Sequence, residues 1–123
     1  MPSRFKISFL FGLIIFFNSS SVISQSNPEK ASRMKVQGIY LYSFAKNVYW
    51  PSAYSTGDFT IGIYGSKDLF DQLNTNFKGK MTGSQNIIFD FYESTSDISD
   101  CHMLFIGKEE TSTIPKVKKV LDE

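Results

Sequence analysis

The densest set of chemistry-bearing side chains in the sequence is Asp97, Asp100, Cys101 and His102. Carboxylate, thiolate and imidazole are the usual ligands of zinc. The spacing speaks against a metal, because neighbouring residues of a strand point to opposite faces and Cys101 and His102 do not grip one ion together. A structural site also needs four ligands, and the chain has 1 Cys and 1 His in all. What remains is a buried thiol at a strand edge beside a hydrogen-bonded histidine. A lone cysteine rules out a disulfide within the chain and leaves pairing between chains open, so Cys101 is the candidate redox residue. Glu109-Glu110 and Asp97–Asp100 lie in polar stretches and read as solvated loop charge, since paired acid/base work needs carboxylates converging on a pocket. No GxSxG, HExxH, P-loop, CxxC or GxGxxG occurs, and Gly62-Ile63-Tyr64-Gly65 has the wrong spacing for a dinucleotide fingerprint. The sequence offers no nucleophile-and-base set, and no enzyme and no cofactor are expected.

These residues must be positioned by the elements around them. Asn27-Pro28-Glu29 reads as a helix start, with Asn as N-cap, Pro at the first helical position and an acid in the first turn. The helix is predicted to run to about Tyr49, because the residue before Pro51 disfavours helical geometry. Met34, Gly38, Leu41, Ala45 and Val48 form its buried stripe, flanked by Tyr42, Phe44 and Tyr49. So wide an apolar arc must dock on something larger. Val36, Ile39 and Trp50 fall largely outside it, which points to a second covered surface.

Phe59–Tyr64 is predicted as a strand closed by Gly65-Ser66, and Ser66 as the cap of a helix over 67–77 that buries Leu69, Phe70, Leu73 and Phe77. Gln85–Tyr92 alternates as a second strand, His102–Ile106 is a third, and Ile114–Leu121 is a last helix with Pro115 in its first turn. This order predicts an α/β fold, a Rossmann-like three-layer sandwich with a mainly parallel sheet and the N-terminal helix docked on it. In such sheets ligands bind beyond the carboxyl ends of strands where the strand order reverses. If the first strand lies between the other two, that crevice is lined by Gly65, Ser66, Gly107 and Lys108, and the free amides after Ser66 favour an anion.

Residues 1–24 have the layout of a secretory signal peptide: Arg4 and Lys6, the apolar run Ile7–Phe17, then Asn18-Ser19-Ser20-Ser21. The apolar run is shorter than the roughly 20 residues that span a bilayer, so cleavage before Gln25 is expected and no stable membrane span after it. Of 13 basic and 12 acidic residues, cleavage removes Arg4 and Lys6, and the remaining charges nearly cancel. Nothing drives nucleic-acid binding. Residues 27–123 then form one small domain, and because the chain stops just after a crossover helix its C-terminus is read as incomplete.

Tyr42-Ser43-Phe44-Ala45-Lys46-Asn47-Val48-Tyr49-Trp50-Pro51 resembles the opening signature of the YfiR-like family of exported bacterial proteins. The strand Phe59–Gly65, the helix start Asp68-Leu69-Phe70 and the strand Cys101-His102-Met103-Leu104-Phe105-Ile106 follow in the family's order. The resemblance implies an exported α/β sandwich with no established enzymatic activity. Its named member is a periplasmic repressor of a membrane-bound diguanylate cyclase, and so acts in cyclic-di-GMP signalling. The expected function is a periplasmic regulatory module that contacts a membrane-bound sensor protein, with Tyr42, Lys46, Tyr49 and Trp50 as the partner-binding face. For Tyr42 and Trp50 the competing role is core packing and a helix stop. A homodimer stays open as a second mode of association. A small-ligand carrier using the strand-end crevice is the alternative from a different class.

Overall fold

A computed structural model describes residues 27–123, so the expected signal peptide lies outside the described residues. The first helix, α1 (Pro28–Asn47), begins as its sequence requires: the Asn27 side chain accepts the Glu29 amide at 3.0 Å and Pro28 opens the first turn. It ends at Asn47, short of Tyr49, because Val48 is already extended while its N–H still donates to the Phe44 carbonyl. Val48 therefore leaves the buried stripe and is exposed, whereas Gly38, Leu41 and Ala45 are buried as expected. Two side chains finish the helix by bonding the Ala45 carbonyl, one of the last-turn acceptors that lack a helical partner. The Trp50 indole N–H donates to it at 3.1 Å and the Thr82 hydroxyl at 2.7 Å.

The remaining elements are β1 (Phe59–Tyr64), α2 (Lys67–Phe77), β2 (Met81–Thr82), β3 (Gln85–Tyr92), β4 (Met103–Ile106) and α3 (Ile114–Asp122). The sheet order is β2-β3-β1-β4. β1 pairs in parallel with β3 and with β4, while β2 pairs antiparallel with β3. The fold is α/β, but the mainly parallel sheet expected from the sequence is a mixed one. Two residues are too few to show alternation, so β2 had no period to read. Its hairpin is made by Gly83, whose φ of 56° lies in the left-handed region that glycine enters freely.

Strand alternation sends side chains to two faces. Phe59, Ile61 and Ile63 of β1 and Ile87 and Phe89 of β3 pack with Leu41 and Ala45 of α1 and Leu69 and Leu73 of α2. Phe70 and Phe77 of α2 are half-buried at the margin of this core. On the opposite face Tyr64 and Tyr92 pack with Ile98 and with Val117 of α3, and Leu104 and Ile106 of β4 join them. Helices thus cover both faces of the sheet. The stretch Lys108–Thr113, between β4 and α3, is a 3₁₀ helix rather than a plain loop.

Gly62, in the middle of β1, has no room for a side chain. A methyl group there would lie 2.6 Å from the Tyr92 ring, 3.1 Å from Leu104 and 3.2 Å from the Cys101 sulfur. Tyr92 is buried and cannot swing away. Gly62→Ala is expected to destabilise the fold by about 1–3 kcal/mol through overpacking, read as a lowered urea midpoint with an unchanged slope.

Candidate functional site

The condition for a strand-end crevice is met, since β1 lies between β3 and β4. Its two glycines are explained by close packing. Gly65 adopts a φ of 75°, and a Cβ there would stand 2.2 Å from the Glu110 side chain. A Cβ on Gly107 would lie 2.7 Å from the Gly65 carbonyl oxygen, and the Gly107 N–H donates to Tyr64 at 2.7 Å. Glu110 is not idle loop charge: its carboxylate accepts the Tyr64 hydroxyl at 3.2 Å. Ser66 holds the N-cap position of α2 but makes no capping bond with its side chain.

Ser66, Gly107 and Lys108 come together in a concavity of about 160 Å³, which Lys30, Arg33 and Gln37 of α1 and Phe105 of β4 also line. The α1 residues were missed from sequence, although their helical spacing places them on one stripe. Lys30 pairs with Asp68, and that bond holds the Asp68 carboxyl below its usual range. Arg33 pairs with Glu29 at 3.0 Å. Both pairs are exposed and worth no more than about 1 kcal/mol each.

The four residues expected to form a partner face do not share one. Tyr42 packs into the core margin with its ring 5.7 Å from Phe77, and the Lys46 ammonium sits 5.3 Å above it. Trp50 is half-buried, edge-on to Phe59 at 5.0 Å, and its N–H closes α1. Only Lys46 and Tyr49 face outward, Tyr49 at 91% exposure. The outward apolar surface of α1 is instead Val36, Ile39, Tyr40 and Phe44, with Tyr40 and Phe44 stacked at 6.5 Å. Phe44 was expected to flank the buried stripe, yet it is 53% exposed because the core takes up only the Gly38–Leu41–Ala45 side of the helix.

At the other end of the sheet His102 acts as a clamp. Its Nδ1 accepts the Thr60 N–H at 3.1 Å, which leaves the proton on Nε2 to donate to the Tyr54 carbonyl at 3.0 Å. The ring stacks on Phe59 at 4.4 Å, and the backbone N–H of His102 donates to Thr60 at 2.9 Å. With both nitrogens engaged by the backbone, the imidazole is fully employed in joining the loop after α1 to β1 and β4. Cys101 beside it is half-buried, and burial pushes its thiol above the ordinary value. That is the opposite of what a reactive thiolate needs. Asp97 accepts from the Ser94 amide and hydroxyl, while Asp100 lines one cleft together with Cys101, His102, Tyr54 and Leu121. Among the described residues no three His, Cys, Asp or Glu side chains gather where a metal ion could sit.

Two outcomes follow from this clamp and its buried thiol. His102→Ala removes both ring bonds and leaves the Thr60 N–H unpaired, costing about 2–3 kcal/mol in a denaturant titration. The second is a pH effect. A thiol held protonated in the fold above its ordinary 9.0 stays protonated after the unfolded chain has released its proton. The folded state then binds more protons, so stability falls as pH rises through that range. Tyr92, also pushed up by burial, adds the same sign at higher pH. Urea titrations between neutral and alkaline pH are expected to show this decline, and Cys101→Ala is expected to flatten its first part.

Among the described residues no helix is long and apolar enough to cross a membrane. No curated protein and no solved structure matches the chain. A family match covers residues 34–123, from the half-buried Met34 of α1 through every strand of the sheet and α3. It takes in the Trp50 helix stop, the strand-end glycines and the Cys101-His102 clamp. On this match the chain belongs to the YfiR/HmsC-like family.

Proposed function

We propose that this chain is an exported, non-enzymatic regulatory module of the periplasm that acts by protein–protein contact on a membrane-bound sensor or cyclase, within cyclic-di-GMP signalling. Family membership supports the reading, and so does the signal-peptide layout of residues 1–24. In this reading the domain is a Rossmann-like three-layer sandwich. A regulatory rather than catalytic role agrees with a histidine whose two nitrogens are tied to backbone groups and a thiol kept protonated by burial.

The observation that carries the reading is α1 itself. The second half of α1 carries apolar side chains over a wider arc than one packed face takes up. The core accounts for Gly38, Leu41 and Ala45, yet Val36, Ile39, Tyr40 and Phe44 on the remaining arc stand in solvent. Exposed aliphatic and aromatic side chains in one contiguous patch are typical of contact surfaces. Lys35 and Lys46 rim the patch, which fits a partner whose own apolar centre has an acidic edge.

The face to alter is therefore Val36 and Ile39, with the exposed Lys46 and Tyr49 beyond them. Deleting the gene is expected to change cellular cyclic-di-GMP, and the full chain is expected to restore it. Val36→Glu with Ile39→Glu is expected to abolish restoration while the melting temperature stays within about 3 °C of the parent, since both sites are exposed. Unchanged cyclic-di-GMP on deletion, together with no membrane protein cross-linked to the full chain, would refute the reading.

A further inference from the structure

Residues 51–58, between α1 and β1, bury no side chain. Their fastening to the sheet is polar and converges on one atom. The Tyr54 carbonyl accepts from His102 Nε2 at 3.0 Å and from the Gln85 side-chain amide at 3.0 Å. The same Gln85 amide reaches the Thr56 carbonyl at 3.4 Å. Segments held by exposed polar contacts, without apolar burial, are those that open locally.

The His102 part of this fastening works in one protonation state. Nδ1 accepts the Thr60 N–H through its lone pair, which only the neutral ring has free. A solvent proton added to Nδ1 fills that lone pair and sets two N–H groups against each other. Turning the ring over offers no escape, since ring carbons would then face both the Thr60 amide and the Tyr54 carbonyl. The two contacts are made by one rigid ring, so they are lost together. The groups packed around it are Phe59 and Thr60 of β1, Trp50, Pro51 and Tyr54 before β1, and Leu121 of α3, none of them charged near neutral pH. On its own segment Cys101 and Asp100 share its cleft, and Asp100 is the one carboxylate lining it, a partner for the charged ring once released.

We propose that His102 is a pH-sensitive latch on the 51–58 loop. Neutral, it clips the Tyr54 carbonyl to β1 and β4; protonated, it lets go, and Gln85 is the hold that remains. Opening takes up one proton, so the open form gains as pH falls, by up to about tenfold per pH unit. The latch is built from contacts among residues 54–102 and is independent of the partner reading, because it is read on the purified chain with no membrane protein present.

The test is NMR spectroscopy of the full chain, made without a histidine tag, from about pH 7.5 down to about pH 5, the range in which histidine changes charge. At the upper end the ring is expected as the Nε2–H tautomer. On descent, ring protonation, the shift of the Thr60 amide out of its hydrogen bond and the movement of the 54–57 amides are expected to follow one titration curve. His102 is the 1 His of the chain and Trp50 the 1 Trp, so ring signals and tryptophan fluorescence are each assigned without ambiguity. His102→Asn offers the Thr60 amide an oxygen but nothing that titrates in this range, and its loop signals are expected to stay flat. Gln85→Ala removes the second hold and is expected to raise the open population at a given pH roughly two- to tenfold. A ring still neutral and bonded to Thr60 at the acid end, a ring that takes up its proton while the loop amides stay in place, or the same loop response in His102→Asn would overturn the proposal.

Discussion

The last turn of α1 is held at one oxygen, the Ala45 carbonyl, and the placement of the other elements depends on it. The Trp50 indole and the Thr82 hydroxyl both donate to that oxygen, one from the loop beyond the helix and one from the β2–β3 hairpin. Trp50 then lies edge-on to Phe59, the Phe59 ring stacks on His102, and His102 reaches both the Tyr54 carbonyl and the Thr60 amide. A single run of contacts therefore links the helix end to the loop, to β1 and to β4. Buried polar groups are costly when unpaired, so each link has a defined partner and little freedom to slide.

That anchoring decides which arc of α1 meets the sheet. With Ala45 pinned, the Gly38–Leu41–Ala45 side faces the core, and Gly38 lets Phe77 and Leu73 of α2 come close, a Cβ there being 2.8 Å from the Phe77 ring. The rest of the helix cannot also turn inward. Among the described residues its surplus apolar side chains, Val36, Ile39, Tyr40 and Phe44, stay outside the core. Within that described part of the chain, α1 carries more apolar side chains than this sheet face covers.

The Cys101-His102 pair was the most chemical-looking feature of the sequence, and the fold gives it a mechanical task. The imidazole is spent on two backbone groups and the thiol is held neutral by burial against Gly62 and its neighbours. That use of the imidazole within the fold agrees with the regulatory reading proposed for the chain.

Much of the fold was legible because it rests on local rules. Asn27-Pro28 set the start of α1, the apolar spacing of α2 named Leu69 and Leu73, and alternation in β3 assigned its two faces. The central place of β1 stood only as a condition in the sequence, because it depends on which strands pair; the structure meets it and brings Ser66, Gly107 and Lys108 into one concavity that Gly65 does not line. The two-residue β2 was not legible, since pairing alone defines it. Nor was the split of Tyr42 and Trp50 from Lys46 and Tyr49, because a helical wheel ranks arcs by polarity and cannot say which of two apolar arcs the core accepts. The sequence by itself determined the elements, their order and the excess of apolar residues on α1, all of which depend on near neighbours. Only the tertiary structure decided which arc is covered and that Lys30 and Arg33 join Lys108 beside Phe105, because those outcomes depend on contacts between residues far apart in the chain.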